Sequence, residues 1–218
     1  MEGQHNKAWW RELFIDKSVD FVLLIVGVYI AFQLANWKVE VDQIAQERAY
    51  LNDMLVDLDK DIKELKENLE ALRSDKKSLD NYLKKENVDS LASVLLDILS
   101  LETFNANQSA YQTLVSGNAL SSFHNHELRN RITEYYNLYA PILRFEEVYT
   151  SVLFKVADHF TDAVDYTHRK VNDPSIVKKS GTRNFYFLVG GQLQDGIEAY
   201  EDALEKAEAL RASIKASE

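Results

Sequence analysis

The chain contains no cysteine, which removes any disulfide framework; a chain without thiols suits an oxidising exterior but is tolerated in every compartment. Glycine and proline are scarce, seven and two in 218 residues, too few for the many tight turns of an all-β domain and in keeping with long uninterrupted helices. Basic residues are outnumbered 25 to 35, and the net charge of -10 excludes the basic footprint that a nucleic-acid partner requires. No recognisable catalytic constellation is present. Ser116 precedes Gly117 without a surrounding G-x-S-x-G elbow, and His124, His126 and Glu127 lack the further clustered ligands of a metal site. His159 between Asp158 and Asp162 reads as a polar shoulder of a helix, and Arg129 and Arg131 read as solvated or paired. The expectation is a protein that is not an enzyme and carries neither cofactor nor metal.

What the chain does have is one long apolar run. From Phe21 to Trp37 seventeen residues pass without a formal charge. At about 1.5 Å per residue they cover roughly 26 Å, close to the hydrocarbon core of a bilayer. A signal peptide would be shorter and end in small residues at a cleavage site, whereas this run ends in Gln33, Asn36 and Trp37 and continues as a helical pattern. A core helix would show a polar face. Residues 20–37 are therefore read as a transmembrane helix preceded by a short cytoplasmic or interfacial segment, 1–19. Lys7, Arg11 and Lys17 before the span against Lys38 and Arg48 after it favour a cytoplasmic amino terminus and an extracytoplasmic carboxy-terminal part. Trp9, Trp10 and Trp37 are the expected interfacial anchors.

Beyond the span, Val41, Ile44, Leu51, Leu55, Leu58, Ile62, Leu65, Leu69, Leu72, Leu79 and Leu83 recur at alternating three- and four-residue steps, a heptad seam interrupted by Arg48 and Lys76. Flanking positions, Asp59, Asp61, Lys66 and Arg73 among them, are polar, so the stripe reads as narrow. Residues 38–86 are expected to form a coiled-coil stalk, pairing either with later helices of the same chain or with other copies.

Residues 87–218 read as a helical bundle packing on the stalk. A short helix after Asn87 is capped by Asp89 or Ser90, and a third, about residues 107–115, closes where Gly117 takes the left-handed conformation. Asn125 caps a long helix to about Tyr166, kinked near Pro141. Asp173 to Gly181 reads as a loop, and a last helix starts near Asn184. The fold expected is all-α: one amino-terminal transmembrane helix continuing into a coiled-coil stalk and an antiparallel helical bundle.

The span VDFVLLIVGVYIAFQLANWKVE, led by Asp20 and ending in Asn36 and Trp37, is followed by an acidic heptad helix and by AYQTLVSGNALSSFHNHELRNRITEYYN. Together these resemble an uncharacterised family of bacterial single-span proteins known only as a domain of unknown function. Ala110, Tyr111, Leu114, Ser116, Gly117, Asn125, Leu128, Arg129, Tyr135 and Tyr136 carry the second part of the resemblance. It implies a bacterial envelope protein and no activity; the span and its flanks place that protein, as an expectation, in the inner membrane as a single-pass chain.

Asp20 is the candidate intramembrane acid, because a carboxylate at the edge of a span needs a partner or must snorkel. On an ideal helix it shares a direction with Gly27 and Ala31, and with Ala35 these form a small-xxx-small series on which helices approach closely. Two readings follow. One is a membrane-anchored, non-enzymatic helical scaffold or sensor of the bacterial envelope that self-associates in the lipid bilayer. The other is a single-span subunit of a proton-driven or other multi-subunit complex, in which Asp20 works with a multi-span partner.

Overall fold

The first helix, α1, runs from His5 to Lys85 in the computed structural model. Its length follows from composition: between these ends lie one glycine and no proline, so nothing removes a backbone donor from the ladder. The structure describes the backbone of residues 5–85 and 87–217 and the side chains of 21–85, 87–121 and 123–217. Trp9, Trp10 and Asp20, with Lys7, Arg11 and Lys17, lie outside the described side chains, as does the stalk boundary at residue 86. The chain divides into two units, Met1–Ala49 and Tyr50–Glu218.

In the first unit every described large apolar side chain from Phe21 to Ile44 is exposed. Among the described residues, this stretch makes α1 the one helix long and apolar enough to cross a membrane. Within the run, Gln33 Nε2 donates to the Tyr29 hydroxyl one turn back at 2.8 Å. Gly27 stands open, with nothing within 4 Å of where a Cβ would lie.

The second unit is built from the rest of α1 and five further helices: α2 (Val88–Leu99), α3 (Ser109–Ser116), α4 (His126–Asn137), α5 (Tyr139–Phe160) and α6 (Ser180–Ser217). Leu51, Leu58, Ile62, Leu65, Leu69, Leu72 and Leu79 of the seam are buried in one core with residues of all five. Leu83 stays exposed. The buried stripe is wider than the seam, because Met54, Asp57, Asp61, Asn68 and Tyr82 are buried as well. The reading of Asp61 as a polar flank is thus corrected: its side chain is 0% exposed.

Local chemistry sets most boundaries. Asn87, and not Asp89 or Ser90, caps α2, its side chain accepting from the Asp89 amide at 3.1 Å. The left-handed residue after α3 is Asn118 (φ 53°) rather than Gly117 (φ −80°), since asparagine tolerates that region better than other residues with a Cβ. A single 3-10 turn, Ala119–Ser122, then leads to Asn125, which caps α4 by accepting from the Leu128 amide at 3.0 Å. The expected long kinked helix is instead two. The Leu138 amide bonds Tyr135 O at 3.0 Å, closing α4, and Pro141 falls in the first turn of α5, where a missing N–H has no ladder partner to lose.

α5 stops at Phe160, earlier than expected, and is followed by a minimal antiparallel pair, β1 (Val164–Asp165) and β2 (Lys170–Val171), in the register Val164 to Val171. These four strand residues leave the unit helical in class. The expected loop at 173–181 holds a 3-10 turn, Pro174–Lys178, capped by Asp173 on the Ser175 amide at 2.9 Å, and α6 starts at Ser180, a turn before Asn184.

Candidate functional site

The most chemically loaded place in the second unit is a buried set of carboxylates and tyrosines around residues 101–108, which form no regular element between α2 and α3. Backbone N–H groups in such a segment need partners outside it. Asp57, Asp61 and Glu64, spaced four and three residues apart, share one face of α1, and Glu146 projects from α5. Glu146 accepts from the Phe104 amide at 2.7 Å, Glu64 from Asn105 at 2.8 Å, Asp61 from Asn107 at 2.9 Å and Asp57 from Ala110 at 3.2 Å. Three carboxylates therefore take the place of a helix or sheet partner for this segment, and the fourth, Asp57, binds the first turn of α3.

Side chains complete the set. Asp61 also accepts from Asn107 Nδ2 at 2.8 Å and from the hydroxyls of Tyr135 at 3.0 Å and Tyr139 at 2.8 Å. Tyr200 of α6 donates to Glu146 at 2.6 Å, and Ser109 donates to Asp57 at 3.0 Å. Aromatic packing surrounds the set: Tyr111 stacks on Tyr136 with ring centroids 4.1 Å apart, and Tyr135 meets Tyr139 edge to face. Burial pushes the Tyr135 and Tyr139 hydroxyls far above the usual phenol range, with the Asp61 charge adding to it, and burial together with the bond to Glu146 does the same for Tyr200. These phenols stay neutral donors at any physiological pH.

Such an arrangement holds a segment in place. Asp61 has each oxygen committed to donors, so neither a free base nor an open ligand position results. Among the described residues no cluster of three or more histidine, cysteine, aspartate or glutamate side chains is arranged to hold a metal ion.

A second acidic feature lies further along α1. Burial, with Asp97 of α2 nearby, raises the Asp75 carboxyl to about 7. Tyr149 of α5 feels the Asp75 charge as well, and its fully buried hydroxyl has no hydrogen-bond partner among the described residues.

The residues singled out in the sequence are dispersed. His159 sits against Phe185 and Gly181 and bonds Thr182 Oγ1 at 3.0 Å. Because the Thr182 hydroxyl donates to Ile176 O at 2.7 Å, the histidine Nε2–H is the donor; the ring ties α5 to the start of α6, and Thr182 fastens the 3-10 turn to α6. Ser116 donates to Thr113 O within its own helix end, and Arg131 pairs with Glu127 at 2.8 Å and reaches Ser213. Gly27, Ala31, Ala35 and Trp37 are all exposed on α1. The block that carried the resemblance is brought together: Ala110, Leu114, Leu128, Tyr135 and Tyr136 are buried. Ala110, Tyr111, Tyr135 and Tyr136 all join the carboxylate and tyrosine set.

The carboxylates and Asn68 are polar, and polar residues beside a heptad seam read as a solvated flank. Met54, Asp57, Asp61, Leu65, Asn68 and Leu72 follow one another at three- and four-residue steps, and that continuity was the available signal. No curated protein and no solved structure matches the chain. Over residues 20–190 it matches a family of unknown function, and the protein belongs to that family, DUF6090.

Proposed function

We propose that the protein is a single-span, membrane-anchored helical scaffold or sensor of the bacterial envelope, non-enzymatic and self-associating, with its amino terminus in the cytoplasm and its carboxy-terminal helices outside. The observation that carries this reading is the exposure of every described large apolar side chain from Phe21 to Ile44. In water so long an apolar surface on one helix is a severe liability, whereas in lipid it is the favoured state. The internal pairing of Tyr29 with Gln33 supports it, since a polar group in hydrocarbon needs a partner. An antiparallel bundle on a coiled-coil stalk is supported by Phe145 lying against Gly196 while His159 lies against Gly181. Self-association rests on Gly27, Ala31 and Ala35, small residues at the spacing that allows helices to approach.

Two experiments test the reading. A reporter active only in the cytoplasm, fused after Glu218, should stay silent while an export-dependent reporter is active; the reverse pattern overturns the orientation. Gly27→Ile should weaken crosslinking between copies in membranes while Val22→Ile should not. The single chain has room for the new side chain at Gly27, so a loss of crosslinking reports association rather than misfolding. Equal crosslinking for wild type and both variants would remove the stripe from the proposal.

A further inference from the structure

A groove of about 340 Å³ opens in the second unit where the end of α1 meets the 3-10 turn and the start of α6. Its lining is Tyr82, Leu83, Val177, Arg183, Tyr186 and Phe187. The floor is preformed, because Tyr82 and Tyr186 are buried edge to face and the Tyr186 hydroxyl donates to that of Tyr82 at 3.2 Å. One wall is fastened by the Thr182 bond to Ile176 O. The rim is apolar and open to solvent: Phe187 is 81% exposed and Leu83 42%. A phenylalanine so exposed on a helix that buries its neighbours Tyr186 and Val189 has no role in the core.

The charge around the groove runs against that of the chain. Arg183 lines it, Lys84 and Lys85 close α1 beside Leu83, and Lys178 follows Val177. None of these four cations is in an ion pair with a described residue, although the chain as a whole carries -10. Exposed cations left unpaired in an acidic protein attract an anionic partner to that spot, while the acidic remainder of the chain repels it elsewhere. The volume lies near the lower end of the roughly 300–1,000 Å³ common for ligand sites, room for one side chain rather than for a large cofactor. Aromatic and arginine side chains around a small apolar slot are the composition of an interface centre.

We infer that this groove docks an acidic peptide segment of a partner protein, which inserts one bulky apolar side chain between Leu83 and Phe187 and sets a neighbouring carboxylate against Arg183. The inference names the partner class for the scaffold or sensor proposed above and rests on that reading, but its test does not depend on membrane orientation or on self-association.

The test uses the full chain in detergent or nanodiscs and fluorescein-labelled peptides followed by anisotropy. The peptides are Gly-Glu-Glu-Phe-Glu-Glu-Gly, the same sequence with serine for phenylalanine, and the same with lysine for glutamate. Saturable binding of the first alone is expected, weakening with salt and falling about tenfold or more in Arg183→Glu and in Phe187→Ser, since charged pairs and aromatic anchors dominate such sites. Both residues are exposed, so unchanged thermal unfolding of the variants would confirm that folding is intact. Equal binding of the lysine or serine peptide, no saturable binding, or affinity untouched by both substitutions would overturn the inference. So would a result in which the two substitutions reduce binding to phosphatidylglycerol vesicles alone, which assigns the groove to lipid. Loss of self-association in Arg183→Glu, without any peptide binding, would assign it to a second copy and equally overturn the inference.

Discussion

The two units invert each other's chemistry. In the first, large apolar residues from Phe21 to Ile44 face outward; in the second, Asp57, Asp61, Asn68 and Glu146 face inward. Both placements would be costly if the surroundings were ordinary. Exposed apolar surface in the first unit is unfavourable in water, and buried carboxylates in the second need donors, which residues 104–110 and three tyrosines supply. The lesson is that neither apolar nor polar character alone predicts burial. What matters is whether each group's partner requirement is met.

The sharpest way to break the comparison is Asp61→Ala. It removes the acceptor of four donors, the half-buried Asn107 amide and Asn107 Nδ2 and the buried Tyr135 and Tyr139 hydroxyls. Loss of about 4 kcal/mol in chemical unfolding is expected, at the upper end for one substitution, with Asp61→Asn costing less because an acceptor remains. Little change for Asp61→Ala would mean that the segment holds itself.

On the other side of the comparison, Ile30→Arg places a charge at the middle of the apolar run. An insertion penalty of about 3 kcal/mol is expected if the run lies in lipid. Membrane fractionation with the same yield as wild type would refute the span.

The glycines offer a third contrast. Gly27 has open space, but a Cβ at Gly196 would collide with the Phe145 ring. Gly196→Ala should therefore destabilise the second unit by about 2 kcal/mol through overpacking, despite the better helix propensity of alanine, whereas Gly27→Ala should leave unfolding unchanged. A more stable Gly196→Ala variant would show that Phe145 can move aside.

The smallest expected effect concerns Asp75. Its carboxyl is raised from an ordinary aspartate value to about 7, so between roughly pH 4 and 7 the folded chain holds a proton that the unfolded chain has released. Its contribution is full below pH 4, falls as pH rises through this window and is gone above about 7. With partial solvent screening the span is about 1–2 kcal/mol. Asp75→Asn should flatten that slope and gain stability at pH 8; an unchanged slope would place the titrating group elsewhere.

Much of the architecture was legible because it is local. Seventeen uncharged residues make an apolar helix surface on any face, and the seam from Leu51 to Leu79 needed only its period to be recognised as one apolar stripe of a helix. The Asn125 cap was equally readable, since its partner lies three residues away. Boundaries slipped where two local rules competed: at Asn87 three candidates for one cap stood within four residues, and at Pro141 a kink and a fresh helix start draw on the same missing donor.

The sequence alone determined that the chain is helical and that one helix has the length and apolarity to cross a membrane, because both depend on residues within a few turns of each other. The tertiary structure decided which polar residues enter the core. Asp61 meets its partners 46, 74 and 78 residues away, and an aspartate at that position reads as a solvated flank until those donors arrive. The groove at the end of α1 is likewise made only by the fold, since Leu83, Val177 and Phe187 come from three separated segments. A hydrogen-bond requirement can be read from a residue, but whether it is satisfied depends on chain returning from far along the sequence.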